Sequence, residues 1–124
     1  MLERYFEGNQ NFEKLAQQFA IGVLFYEDKA NAGHHDKRFI PKNFNLTIGR
    51  DETCDIRSLD MHVSRIHALV SSNEKEVFIE DIFATNRTMV NGKEIHELTK
   101  LKDNDVIKIG LIDFKFKKLN GWNS

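Results

Sequence analysis

Three short polar clusters in this chain carry side chains suited to holding an anionic oxygen. Ser64, Arg65 and His67 bring together a hydroxyl, a guanidinium fork and an imidazole with two hydrogen-bonding nitrogens. Arg50 follows Gly49 at the end of an alternating run, Phe44 to Ile48. Thr85, Asn86, Arg87 and Thr88 follow a second such run, Val77 to Ile82. A phosphate or carboxylate is the ligand such donors fit best. The bland reading of the stretch Leu59 to Val70 is a surface loop with a solvated arginine and a buried histidine. A hydrolytic pair made of Ser64 and His67 is not expected: across a strand start the two side chains leave on opposite faces, and no acid stands where it could orient the ring. His34, His35 and Asp36 raise the question of a metal. Adjacent histidines on an extended segment point apart, with no cysteine or glutamate at useful spacing, so no metal site is expected.

These clusters need a scaffold that brings loops together. Ala20 to Tyr26 is an apolar, β-favouring run and predicts a first strand, followed by a polar loop from Glu27 to Arg38. From Phe39 onward short strands alternate with turn signals: Phe44 to Ile48, His67 to Ser71, Val77 to Ile82, Met89 to Val90, Val106 to Ile109 and Ile112 to Lys117. Alternation places Phe44, Leu46 and Ile48 on one face, and Phe114 and Phe116 likewise. Asn91-Gly92 is a tight-turn dipeptide, and Lys102 to Asp105 is a polar turn. The single proline, Pro41, is expected in a loop. The fold class expected is all-β, a sandwich of two twisted sheets. Loops at one end of a sandwich converge, so the three clusters can build one pocket, with Gly49 allowing an unusual backbone angle beside Arg50. Ahead of the strands, Asn11 can cap a short helix whose apolar face is Phe12, Leu15, Ala16 and Phe19.

The chain has 124 residues and a formal net charge of -1, enough for one domain with a real core and without the basic excess of a general nucleic-acid or membrane-surface binder. One cysteine, Cys54, leaves no internal disulfide, and no apolar run approaches the roughly 18 residues of a membrane span. The first residues lack the pattern of a secretory signal. An intracellular, reducing compartment is expected. The sequons at Asn45 and Asn86 are therefore read as coincidental.

The order Gly49-Arg50, Ser64-Arg65-x-His67, Thr85-Asn86-x-Thr88 and Asn91-Gly92 resembles the forkhead-associated (FHA) domain, a phosphothreonine-peptide binding module. Cys54-Asp55-Ile56, Asp81-Ile82 and Asp105 to Gly110 are family-like as well. The resemblance covers residues 20–118, with 1–19 as a helical extension and 119–124, including Trp122, as an exit toward a following region. It implies that Arg50 and Ser64 bind the phosphate, that Arg65 adds a contact, and that Thr85 and Asn86 hold the peptide backbone. Gly49, His67, Asn91 and Gly92 would be architectural. It implies no cofactor and no metal. A phosphothreonine carries about -1.5 to -2 charges, matching such donors. Charge-assisted hydrogen bonds of about 1.5–3 kcal/mol each, set against the cost of association, give roughly micromolar affinity.

Arg87 stands where the family usually has glycine, and would be strained if the backbone there had to be left-handed. With His62 it could instead select acidic residues near the phosphothreonine; the bland reading is a solvent-facing arginine. The run Gly49 to Asp55 and its N-terminal placement resemble FHA domains of checkpoint-type Ser/Thr kinases, which implies a regulatory part of a larger nuclear signalling protein. The chain itself has no kinase glycine-rich loop or His-Arg-Asp loop and is not expected to be an enzyme. Self-association through a phosphorylated segment elsewhere in the protein is compatible with this reading. The competing class is a phosphate-independent scaffold or dimerisation domain of the same fold.

Overall fold

The computed structural model describes residues 18–119. Most of the expected N-terminal helix, from Asn11, and the exit with Trp122 lie outside the described residues.

Two β-sheets face each other. The strands are β1 (Ala20–Asp28), β2 (His34–Pro41), β3 (Asn45–Gly49), β4 (Ile56–Arg57), β5 (Ala68–Ser72), β6 (Val77–Asp81), β7 (Met89–Val90), β8 (Lys93–Glu94), β9 (Thr99–Lys100), β10 (Val106–Ile109) and β11 (Ile112–Lys118). One sheet has the order β2-β1-β11-β10-β7-β8, the other β4-β3-β5-β6-β9. β3 and β4 pair in parallel, whereas β3 with β5 and β5 with β6 are antiparallel. The sandwich expected from the strand spacing is the observed architecture.

Alternation builds the core. Leu46 and Ile48 from β3, Val77 and Ile79 from β6, Ile107 and Ile109 from β10, and Ile112, Phe114 and Phe116 from β11 turn inward and are buried. Burying side chains of this size is worth about 1.5–3 kcal/mol each and dominates the gain on folding. In β6 the inward row continues from Val77 and Ile79 to Asp81, so a carboxylate arrives at the rim of the core. Its two oxygens accept the amides of Ala84 and Thr88, each at 2.8 Å, which hangs the loop after β6 on a buried anchor.

Several expectations are corrected. The predicted loop from Glu27 to Arg38 is mostly strand: β1 runs on to Asp28, a 3-10 turn spans Lys29–Asn31, and β2 begins at His34. β2 is an edge strand whose first four residues are exposed, so it lacks the apolar alternation that marks a strand. Pro41 ends that strand rather than sitting in a loop, a position where a missing N–H is tolerated. Phe44 precedes β3 and is exposed, because the inward row starts at Leu46. β4, β8 and β9, two residues each, left no sequence pattern. The Asn91-Gly92 turn is as expected: both residues have positive φ, 52° and 81°, and join β7 to β8 with Val90 opposite Lys93.

Candidate functional site

The polar clusters converge where β3 ends, β5 begins and β6 ends. His67, just before β5, is fully buried. Its amide donates to the Ile48 carbonyl at 2.8 Å, and its own carbonyl accepts the Ile82 amide at 2.9 Å, so it joins three strand ends. The Ser64 amide donates to His67 Nδ1 at 3.1 Å, which puts the ring proton on Nε2. Burial pushes the His67 ring below its ordinary pKa, outweighing Asp81 and the Asn86 backbone, which act in the opposite sense. His67 is therefore a neutral brace. The contact between Ser64 and His67 runs through a backbone amide and not the serine hydroxyl, which removes the nucleophile–base geometry.

Ser64 connects two further loops. Its carbonyl accepts the Arg50 amide at 3.0 Å, and its hydroxyl oxygen accepts the Thr85 amide at 3.3 Å. Arg50 Nε donates to the Val63 carbonyl at 2.8 Å, which orients the guanidinium. Asn86 Nδ2 donates to the His62 carbonyl at 3.0 Å. Arg50, Ser64, Thr85 and Asn86 are thus tied into one network, although they come from three loops.

Arg50 and Arg65 line a cleft of about 380 Å³ with Asp51, Glu52 and Arg57. The Arg65 side chain is 76% exposed and reaches Asp51 at 3.5 Å. The Thr53 hydroxyl, and after it the Thr53 amide, hold the Asp51 carboxyl below its ordinary range, so it stays ionised opposite Arg65. No motif in the sequence marks Arg57 as part of this cleft. The parallel pairing places Arg57 opposite Gly49, and its Nε donates to the Arg50 carbonyl at 3.0 Å. Nothing local in the sequence signals a pairing between segments so close together.

Gly49 is needed for a reason other than the one expected. It is not among the residues with positive φ. A Cβ there would lie 2.2 Å from the Arg65 carbonyl oxygen, so glycine permits two backbone segments to touch. Arg87 also has no positive φ, which removes the strain considered for it. The left-handed residue in that loop is Phe83, at 49°. Arg87 turns back toward the Asp81 carboxylate at 3.5 Å.

His62, Asn86 and Arg87 share a second cleft of about 290 Å³ with Met89, Lys108, Gly110 and Leu111. Buried Asp60 holds two of the lining residues, His62 and Leu111. Its Oδ1 accepts the His62 amide at 3.0 Å and faces His62 Nδ1 at 2.9 Å, while Oδ2 accepts the Leu111 amide at 2.9 Å. Burial works to raise the Asp60 carboxyl, but these hydrogen bonds outweigh it and hold the pKa below the ordinary value. Asn91 lies apart from this network: it bonds Asp105 and the Val106 amide, each at 2.9 Å, and sets the hairpin.

The family model of the FHA domain matches residues 46–110. This chain belongs to the FHA family. An FHA domain is a binding module, not an enzyme. Human proliferation marker protein Ki-67 is 40% identical over 73 residues, which cover 59% of this chain but 2% of Ki-67. The chain therefore matches only a small part of that relative's length. Among solved structures, the FHA domain of CT664 from Chlamydia trachomatis is similar at 25% identity and a TM-score of 0.70, over 79% of this chain and 99% of that one. The MEK1 FHA domain in complex with the HOP1 pThr318 peptide shares the fold at 18% identity, with a TM-score of 0.63 over 78% of this chain and 97% of that one. No helix among the described residues is long and apolar enough to cross a membrane.

Proposed function

We propose that the chain is a phosphothreonine-dependent peptide-binding module. The observation that carries this reading is the joining of Arg50, Ser64 and Thr85 through Ser64: its carbonyl takes the Arg50 amide and its hydroxyl oxygen takes the Thr85 amide, so one residue ties the loop of the cation to the loop of the backbone clamp. Arg50 and Ser64 hold the phosphate, Arg65 adds a contact from its exposed position, and Thr85 and Asn86 hold the peptide backbone. The complex of the MEK1 FHA domain with a pThr peptide supports the same use of the fold here. Arg87 and His62, which share the second cleft with Lys108, favour acidic residues flanking the phosphothreonine.

The binding unit spans residues 20–118 and serves as a regulatory part of a larger protein in nuclear signalling. A checkpoint-type kinase is one context, suggested by the run Gly49 to Asp55; similarity to a proliferation marker supports a cell-cycle setting. Titration of phosphothreonine, unphosphorylated and phosphoserine peptides against the wild type and Arg50→Ala tests the reading. Binding to the phosphothreonine form alone, lost in Arg50→Ala, is expected. Binding that ignores the phosphate, or that survives the substitution undiminished, rejects it.

A further inference from the structure

Phe83 has a left-handed backbone and is 91% exposed. The bend is imposed locally: the Asp81 carboxylate takes the amides of Ala84 and Thr88, and the chain must turn sharply at Phe83 to deliver them. Glycine or asparagine accepts that conformation readily, whereas a bulky side chain in it is an outlier. Single exposed apolar residues are ordinary on protein surfaces. Here, however, an aromatic ring occupies an unfavourable backbone position and recovers nothing by burial, so folding alone gives no reason for it.

Its place supplies a reason. Thr85, whose amide bonds the Ser64 hydroxyl, is two residues on, a span of no more than about 7 Å. The facing loop, pinned to this one by the bond from Asn86 to the His62 carbonyl, carries two more exposed apolar side chains, Leu59 (72%) and Met61 (87%). Two of the three loops that build the polar centre thus carry large exposed apolar groups. We propose that Phe83 is an apolar reading element of the site, packing against an aliphatic or aromatic side chain of the phosphorylated partner close to its phosphothreonine. This deepens the phosphopeptide reading and rests on it.

The test is an oriented library of phosphothreonine peptides with degenerate flanking positions, and its unphosphorylated counterpart, bound to the wild type, Phe83→Leu and Phe83→Asn. The wild type should enrich an apolar residue at one flanking position. Phe83→Asn should lose that enrichment and bind the enriched peptide about fivefold or more weakly. Phe83→Leu should keep part of it. The melting temperature of Phe83→Asn should not fall, since asparagine suits the backbone. Equal enrichment in all three proteins, no apolar enrichment in the wild type, or a drop of several degrees in Phe83→Asn overturns the proposal. Equal capture of both libraries by the wild type overturns the phosphopeptide reading itself, and the role of Phe83 falls with it.

Discussion

The Thr85 amide donates to the hydroxyl oxygen of Ser64, 21 residues earlier in the chain, at 3.3 Å. Because that oxygen accepts, the hydroxyl proton remains to be given elsewhere, and the phosphate is the partner proposed above. Ser64→Ala removes both bonds. Calorimetry with a phosphothreonine peptide should show affinity down about tenfold or more, as for one lost charge-assisted bond. The melt should change little, because Thr85 is exposed and water can take its amide.

Gly49 and Gly92 should respond differently to alanine. At Gly49 the added methyl meets the Arg65 backbone, which cannot yield without moving the strand end, and a loss of about 3 kcal/mol is expected. At Gly92 nothing lies within 4 Å, and only the positive φ of 81° opposes the change, at a cost of about 1 kcal/mol. Chemical denaturation of the two variants would distinguish close approach from backbone conformation.

His67 makes stability depend on pH on the acid side. Burial keeps the ring neutral in the native state, so its pKa there is below that of the unfolded chain. The unfolded state then binds more protons, and stability falls as pH drops through about 6.5, the unfolded value. Thermal melts from neutral pH downward should show this loss. His67→Gln should start less stable and have a shallower acid slope; an unchanged slope would contradict the assignment.

Asp51 faces Arg65 at 3.5 Å, so under the proposed function it competes with the phosphate for that guanidinium. Asp51→Asn should preserve the turn, since an amide oxygen can still accept from Thr53, while freeing Arg65 and removing a negative charge from the cleft. Phosphopeptide affinity should rise about two- to fivefold at low salt, and the gain should shrink as salt is added. Isothermal titration at two ionic strengths would measure it.

Arg87→Gly, the substitution toward the usual family residue, should not stabilise the fold. Arg87 is unstrained, and glycine would lose the approach to Asp81 and add freedom to the unfolded chain. A loss of about 0.5–1 kcal/mol is expected in denaturation. If His62 and Arg87 select acidic flanking residues, library selection for those residues should also weaken.

The apolar alternation of β3, β6, β10 and β11 was enough to read the sandwich, because these strands bury one face and expose the other. β2 escaped because an edge strand with exposed polar residues has no such contrast. The candidate site is legible as residue types in order, and the family resemblance groups Arg50, Ser64 and Asn86, which the structure joins by hydrogen bonds. What sequence could not show is how they are held. The close approach at Gly49 depends on a neighbouring strand, and Arg57 enters the cleft only through a two-residue parallel pairing. Phe83 reads as an ordinary apolar residue until its backbone angle and exposure are both seen.

β1 pairs antiparallel with β11, so Gly22 lies opposite Lys118, and the Leu119 amide bonds the Ile21 carbonyl at 2.9 Å. The two flanks of the domain therefore leave from neighbouring points on one sheet, while Arg50, Ser64 and Thr85 are carried by loops of the other. Mechanically this is a zipper and not a lap joint. A pull on the flanks opens the β1–β11 rungs one after another, beginning at Leu119. The loops that carry Arg50, Ser64 and Thr85, on the second sheet, are not in the direct line of that load.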